Sequence, residues 1–358
     1  MHLRELRLRD LRNIATLDVA LERGISIFIG ANGAGKTSIL EGAYLLSHAE
    51  SFRASRAEVL IRRGAGGLSV YAEVERRIGP VRLGLARRDS RWEAAVNGAP
   101  AANLGALLRE FALVCFEPGS HSLISGSSLL RRRFLDWSVF HVEPDYWLQA
   151  RRYQRALRQR NAWLRQPGAD SELEAWDAEL ALTGTMMAAA RERHFANFAE
   201  ELQGVLAGLL PELGEPRASL HRGWPEAQDL AGALRRAHGR DRQRGHTTLG
   251  PHRADWNISF ALAPGRDELS RGQEKLCALA CVLAQARWYA REQGEWPVVV
   301  LDDFASELDI AHQTAVARLL AEGPDQILVS GIEVPESLRA AGPLRVFHVE
   351  HGMARCLV

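Results

Sequence analysis

The sequence predicts an α/β nucleotide-binding core divided by a long helical insert. Three observations predict it. The stretch "FIGANGAGKTSILEG" (28–42) sets a glycine-rich turn between an apolar run and a helical pattern. A second apolar run, "PVVVLDDFASELD" (297–309), ends in two carboxylates. Between them the periodicity changes from strand-like to helical near Leu129 and back near Trp256.

Strands come first. Up to about residue 120, "HLRELRLRDL", "ATLDVAL", "ISIFIG", "LSVYAEVERRI", "VRLGLARR" and "WEAAVNG" alternate apolar and polar side chains between glycine-bearing breaks. From Leu129, "LLRRRFLDWSVF", "DYWLQARRYQRALRQRNAWLRQ" and "ELEAWDAELALTGTMMAAARERHFANFAEELQGVLAGLL" space their apolar residues as helices do, punctuated by Pro118, Pro144, Pro167, Pro211 and Pro225. No heptad is sustained over several turns, which disfavours a long coiled coil. After Trp256 the pattern predicts a helix over 273–292, a strand over 297–301, a helix over 311–321, and strands at "QILVSG" and "LRVFHVE". The expected domains are 1–125, carrying the glycine-rich loop; 126–245, an all-helical arm; and 246–358, which completes the core.

The chemistry of the first motif is specific. Gly30, Gly35, Lys36 and Thr37 satisfy G-x-x-x-x-G-K-[ST] between a strand and a helix, the context that defines a P-loop. Glycines let backbone N–H groups curl around phosphate oxygens, the helix N-terminus adds its dipole, and the Thr37 hydroxyl can ligate Mg²⁺. Lys36 is one of only two lysines, with Lys275, in a chain that otherwise uses arginine. A compact ammonium on a flexible stem reaches the β- and γ-phosphates, where a planar guanidinium fits poorly.

Carboxylates at the end of a buried strand are where Mg²⁺ and attacking water are handled in this class. Asp302 is the expected metal ligand and Asp303 the expected general base. In "LSRGQEK" (269–275) Ser270 can cap a helix whose first turn holds Gln273 and Glu274. Its free N–H groups, with room left by Gly272, form a second phosphate-binding helix end.

Composition limits the alternatives. A hydrophobic fraction of 46% and a charged fraction of 25% are ordinary for a globular protein. The 45 basic and 44 acidic side chains nearly cancel, so a polyanion-binding surface must come from segregated charge. Cys115, Cys277, Cys281 and Cys356 follow no paired metal spacing and are expected as reduced, buried fillers in a cytoplasmic protein. "MHLRELRLRD" is too charged for a signal-peptide core, and no apolar run approaches the ~20 residues of a membrane span. A membrane-embedded role is not expected.

In the order P-loop, LSxGQ, apolar run with DD, these motifs resemble the ABC-type ATPases. With "SLLRRRFLDW", "YQRALRQRNAWL", "HTTLGPHRADW" and "FHVEHG" added, the whole chain resembles the RecF family of DNA repair ATPases, relatives of the structural-maintenance-of-chromosomes heads. The resemblance implies an ABC-type head with mixed sheets and an inserted all-helical arm, working with ATP and Mg²⁺. It implies that Gly30, Ala31, Asn32, Gly33, Ala34, Gly35, Lys36, Thr37 and Ser38 hold the triphosphate, and that Thr37 and Asp302 hold the metal. Lys36, Asp302 and Asp303 would carry the chemistry. Ser270, Gly272 and Gln273 would contact the γ-phosphate of a nucleotide bound by a second subunit, with Ser306 to Asp309 lining the seam. Three departures imply slow hydrolysis, below about 1 s⁻¹. Asp303 stands where most ABC enzymes carry Glu, Gly331 stands where a switch histidine would follow the last core strand, and "LVCFEP" lacks a Q-loop glutamine.

Arg151, Arg155, Arg158 and Arg165 fall at near-helical spacing beside Tyr153, Gln154 and Trp163. That spacing suits a DNA-binding stripe of Arg151, Arg155 and Arg158 and equally a solvated, salt-bridged face. "RRAHGRDRQRGH" (235–246) reads as a basic loop, and His252 and Arg253 could face DNA or close a dimer. The RecF resemblance implies double-stranded, gapped or junction DNA gripped by an ATP-dependent homodimer. It also implies help in loading RecA with the RecO and RecR proteins during replication, recombination and the SOS response. Two other readings compete. One is a transporter motor, for which the insert is longer than needed; the other is a non-hydrolysing ATP-binding DNA protein, which Asp303 and Gly331 leave open.

Overall fold

The computed structural model describes residues 1–166, 170–263, 265–321, 323–339 and 341–357. Two compact units divide them. The first comprises 1–121, 208–210 and 270–358, and the second 122–207 and 211–269.

In the first unit β1 (His2–Leu11) and β2 (Ile14–Ala20) form a hairpin, β3 (Gly24–Ile29) leads into the P-loop, and β4 (Gly67–Arg76), β5 (Gly79–Arg88), β6 (Arg91–Val96) and β7 (Ala99–Pro100) follow. All but β3 build an antiparallel sheet in the order β2-β1-β4-β5-β6-β7. Alternation dictates its faces: Leu6 and Leu8, Val70, Ala72 and Val74, and Val81, Leu83 and Leu85 are buried, while Arg4, Arg7 and Arg82 point to solvent.

β8 (Leu113–Phe116) comes next, and after β9 (Pro216–His221) and β10 (Asp255–Phe260) of the second unit the chain adds β11 (Val298–Leu301), β12 (Gln326–Gly331), β13 (Leu344–Glu350) and β14 (Met353–Cys356). The core sheet runs β14-β13-β3-β12-β11-β8, parallel except for β14 against β13. Val298 to Leu301 are all buried, as a strand covered on both faces requires. The P-loop helix (Lys36–His48) and the helix Arg271–Gln293 belong to this unit. β8 lies in "LVCFEP", where no strand was expected, and β7 and β14 are further short edge strands that four-residue windows do not signal. Cys356, expected buried, is exposed because β14 is an edge strand, whereas Cys277 and Cys281 are buried; none of the four cysteines is in a disulfide.

The second unit holds the helices Ser128–Val142, Tyr146–Leu164, Asp170–Leu209 and Leu230–Arg244. It is not helix alone, because β9 and β10 pair as an antiparallel ribbon. Its limits also differ from 126–245: it begins at Ser122 and runs to Leu269. The segment 246–269 stays with it because β10 pairs with β9 and Asp255 takes the buried Arg131 through two bonds of 2.7 and 3.1 Å. The basic cluster 235–246 is mostly the end of a helix rather than a loop. Asp229 Oδ1 accepts from Gly232 N at 2.8 Å to start it, and Gly245, with φ of 66°, ends it. The described residues contain no helix long and apolar enough to cross a membrane.

Candidate functional site

β3 ends at Ile29 and its helix starts at Lys36, so residues 30–35 must reverse the chain in one loop. Gly30 has no room for a side chain: a Cβ there would lie 2.3 Å from the Val349 carbonyl oxygen on β13. Gly35 caps the helix with φ of 116°, a conformation closed to other residues. The first-turn N–H groups beyond it have no intrahelical acceptor and face a positive dipole end. Lys36 Nζ curls back over the loop, donating to the carbonyls of Gly30 (2.9 Å) and Ala31 (3.0 Å). A cavity of about 450 Å³ opens here, lined by Asn32, Gly33, Gly35, Lys36, Thr37, Ser38 and Asp303, and by Arg12, Asn13 and Arg53. Its volume and free N–H donors suit a nucleoside triphosphate.

The carboxylates stand at the C-terminal edge of β11, next to β12 and β8. Thr37 Oγ1 donates to Asp302 Oδ1 at 2.9 Å, and Ser330 Oγ donates to the same oxygen at 2.5 Å. Burial pushes the Asp302 carboxyl above the usual carboxylate range, opposed by those two hydrogen bonds. Two hard oxygens side by side fit Mg²⁺. The described residues contain no cluster of three or more His, Cys, Asp or Glu that could hold a metal.

Sequence reasoning missed four residues. Arg12 and Asn13 sit in the β1–β2 turn. The Arg12 guanidinium grips the fully buried Glu41 of the P-loop helix through two bonds of 2.8 Å. Asn13 Nδ2 donates to the Gly33 carbonyl (3.0 Å), and its Oδ1 accepts from Ser38 Oγ (3.2 Å). Arg53 lines the cavity, and its positive charge acts on both Asp302 and Glu117. Glu117 follows β8, in the segment without the glutamine; burial raises its carboxyl pKa, with Asp302 adding to the effect, while a bond from Gly119 N at 2.6 Å opposes it. None of the four belongs to a local motif: Arg12 and Asn13 come from the β1–β2 turn, Arg53 follows the P-loop helix, and Glu117 follows β8, which pairs with β11.

Ser270 caps its helix with a reciprocal box: Ser270 Oγ accepts from Gln273 N (3.3 Å) and Gln273 Oε1 accepts from Ser270 N (2.9 Å). Gly272 is exposed, and a Cβ on it would meet nothing within 4 Å. Ser270, Gly272 and Gln273 do not line the P-loop cavity. This first turn instead presents an open helix end, fixed from behind by Lys275 Nζ, 2.7 Å from Glu307 Oε2.

In the arm, the structure sorts the arginines. Arg160 is fully buried against Asp241 (2.7 Å) and Asp177 (2.5 Å), Arg152 is paired with Glu179, and Arg131 is held by Asp255. Arg165 Nε donates to the Gly245 carbonyl. Arg151, Arg155 and Arg158 are exposed and have no ion-pair or hydrogen-bond partner among the described residues. Tyr153 and His252 turn inward: the Tyr153 hydroxyl is 2.6 Å from His252 Nδ1, and burial lowers the His252 pKa to about 4. His252 is thus tied into the arm on both ring nitrogens, Nδ1 beside the Tyr153 hydroxyl and Nε2 3.1 Å from the Thr247 carbonyl.

The family model described as RecF/RecN/SMC N terminal domain matches residues 2–355. The chain is 46% identical over 359 residues to the DNA replication and repair protein RecF of Xanthomonas euvesicatoria pv. vesicatoria (strain 85-10), covering 98% of each chain. It is 45% identical over 357 residues to the protein of that name from Stenotrophomonas maltophilia (strain R551-3), again covering 98% of each. Its fold is similar to that of a recombination mediator protein RecF bound to ATP in the RecFOR pathway, with a TM-score of 0.90 at 22% identity, covering 100% of this chain and 98% of that one. An Smc head bound to the C-winged helix domain of ScpA gives a TM-score of 0.60 at 17% identity, covering 100% and 98%. The chain belongs to the RecF family of DNA replication and repair proteins.

Proposed function

We propose that this RecF-family chain is an ATP-gated DNA-binding ATPase of replication and recombinational repair. Two copies close on ATP, grip double-stranded or gapped DNA, and separate after slow hydrolysis. The observation that carries this reading is a division within the chain. The cavity that holds Lys36, Thr37 and Asp303 lacks Ser270, Gly272 and Gln273, whose capped helix end stands open elsewhere on the same unit. A second phosphate-binding helix end that its own chain's nucleotide site does not use fits a nucleotide held by another copy.

In this mechanism residues 30–38 bind the triphosphate, and Lys36 exchanges the Gly30 and Ala31 carbonyls for phosphate oxygens. Thr37 and Asp302 would hold Mg²⁺, which when bound neutralises charge on the β- and γ-phosphates. Asp303 accepts the proton of the attacking water. Its side chain is one methylene shorter than Glu, and turnover is expected below about 1 s⁻¹. Closure shifts the equilibrium toward the DNA-gripping state because ATP binds that state more tightly. Arg151, Arg155 and Arg158 contact phosphates without reading sequence. The RecFOR pathway named for a solved relative supports RecO and RecR as partners, and the outcome this reading assigns is RecA loading at single-strand gaps.

The test is molar mass by light scattering with and without ATP and Mg²⁺. The wild type should double in mass with nucleotide, whereas Lys36→Met and Ser270→Arg should stay single. A wild type that remains single at saturating ATP yet binds duplex normally overturns the reading. Asp303→Asn should bind ATP and dimerise but release phosphate more slowly; release equal to wild type would instead favour a chain that uses ATP binding alone.

A further inference from the structure

We propose that Ser330 is a positioning residue of the hydrolytic centre, its one hydroxyl setting both carboxylates of the 302–303 pair. The proposal rests on the ATPase reading above and extends it to a residue that no sequence motif includes. Ser330 Oγ donates to Asp302 Oδ1 at 2.5 Å and accepts from the Asp303 backbone N–H at 2.9 Å. The hydroxyl is fully buried on β12, and the pairing of Leu301 with Val329 brings it beside the end of β11.

Three features separate this link from ordinary packing. Asp303 holds φ of 51°, a left-handed conformation rare for a residue with a side chain. Its N–H to Ser330 is the hydrogen bond that holds that peptide while the carboxylate lines the cavity. The single Ser330 proton is committed to Asp302, so a lone pair is left for Asp303 N–H; one atom thus fixes the spacing between the proposed metal ligand and the proposed base. Finally, β12 offers no side chain at the next position. Residue 331 is glycine, and a Cβ there would come within 3.1 Å of the Glu333 carbonyl oxygen. Ser330 is therefore the polar side chain through which β12 reaches the carboxylates, one residue before the place where a switch histidine would stand.

A positioning role predicts that ATP binding survives loss of the hydroxyl while hydrolysis does not. Ser330→Thr and Ser330→Val have nearly the same shape and differ in the hydroxyl; Ser330→Ala removes it with less bulk. Each full-length variant is compared with wild type and Asp303→Asn by thermal melting, by titration with a fluorescent ATP analogue in Mg²⁺, and by single-turnover phosphate release. Ser330→Val and Ser330→Ala should bind the analogue within about threefold of wild type and release phosphate roughly tenfold or more slowly, a part of the 10²–10⁴-fold that a positioned base contributes. Ser330→Thr should recover both. Wild-type release by Ser330→Val, or equal slowing in Ser330→Thr and Ser330→Val, overturns the proposal and leaves the ATPase reading standing. Failure of the wild type itself to release phosphate faster than Asp303→Asn overturns that reading, and the Ser330 proposal with it.

Discussion

Replacing Arg151, Arg155 and Arg158 together with glutamine tests whether the arm holds DNA through these side chains. At 3.6 residues per turn the three fall within about 60° of one helix face and along about 10 Å of its axis, so one run of phosphates can meet all three. They are exposed and unpaired among the described residues, whereas Arg152 on the neighbouring face spends both of its bonding nitrogens on Glu179 at 2.9 Å. Each phosphate contact steepens the dependence of log K on log salt by about 0.9, so three contacts account for a slope of about 2.7. Between 50 and 200 mM salt the wild type should then lose about 40-fold more affinity than the triple variant. The assay is fluorescence anisotropy of a labelled duplex at saturating ATP and Mg²⁺, with Arg152→Gln as control. An unchanged salt slope in a variant that still binds ATP, or an Arg152→Gln slope as shallow as the triple variant's, would refute the assignment.

Asp302→Asn should stabilise the ligand-free chain while abolishing Mg²⁺-dependent tightening of ATP binding. The amide keeps an acceptor for Thr37 and Ser330 but removes a buried charge, a change worth roughly 0.5–2 kcal/mol in thermal melts. The pH dependence has a matching sign. With its folded pKa raised, Asp302 makes the apo fold less stable as pH rises from the ordinary carboxylate range through that raised value, and the Asn variant should lack this component. By the same shift, Mg²⁺-dependent ATP affinity of the wild type should fall as pH is lowered through the raised value, since the metal needs the carboxylate; isothermal titration from pH 8 downward checks it. Asp241→Ala leaves the buried Arg160 short of a counter-charge and strips two bonds from Thr248, so it should cost the arm about 3–5 kcal/mol in denaturant melts while fluorescent-ATP binding at the first unit persists.

Legibility followed the range of the forces involved. Loop, capped helix and buried strand are local: glycine conformations, an N-cap serine and an unbroken apolar run sit within a few residues, and Gly30 to Ser38, Ser270 and the 297–303 segment are read directly. The inserted unit was harder because what ends it is non-local. Asp255 belongs with Arg131 and β10 with β9, contacts whose partners lie 124 residues and some 40 residues apart in sequence, so a break in helical periodicity at 245 mistook the end of a helix for the end of a unit. The arginine surface was ambiguous for the same reason. Arg158 and Arg160 look alike in a helical repeat, and only the acidic partners brought in from 177 and 241 bury one and leave the other exposed. Arg12 and Asn13 reach the cavity from the β1–β2 turn and Arg53 from the segment after the P-loop helix, while Glu117 follows β8 beside β11, placements no single short window contains.

The two lysines show where side-chain size decides. Nζ of Lys36 donates to two loop carbonyls at 2.9 and 3.0 Å, a compact point charge on a flexible stem where a planar guanidinium fork is larger and fits the wrap poorly. Lys275 meets Glu307 at 2.7 Å with both side chains largely sheltered, joining the helix that Ser270 caps to the 306–309 segment. These are the two surfaces that the proposed second copy would meet across the triphosphate. A short ion pair between them makes them move together, so that a phosphate drawn onto the helix end also brings the neighbouring segment to the seam. Lys275→Met should therefore weaken ATP-dependent dimerisation in light scattering while leaving the affinity of a single chain for fluorescent ATP unchanged. Equal dimerisation by that variant would mean that the two surfaces act independently.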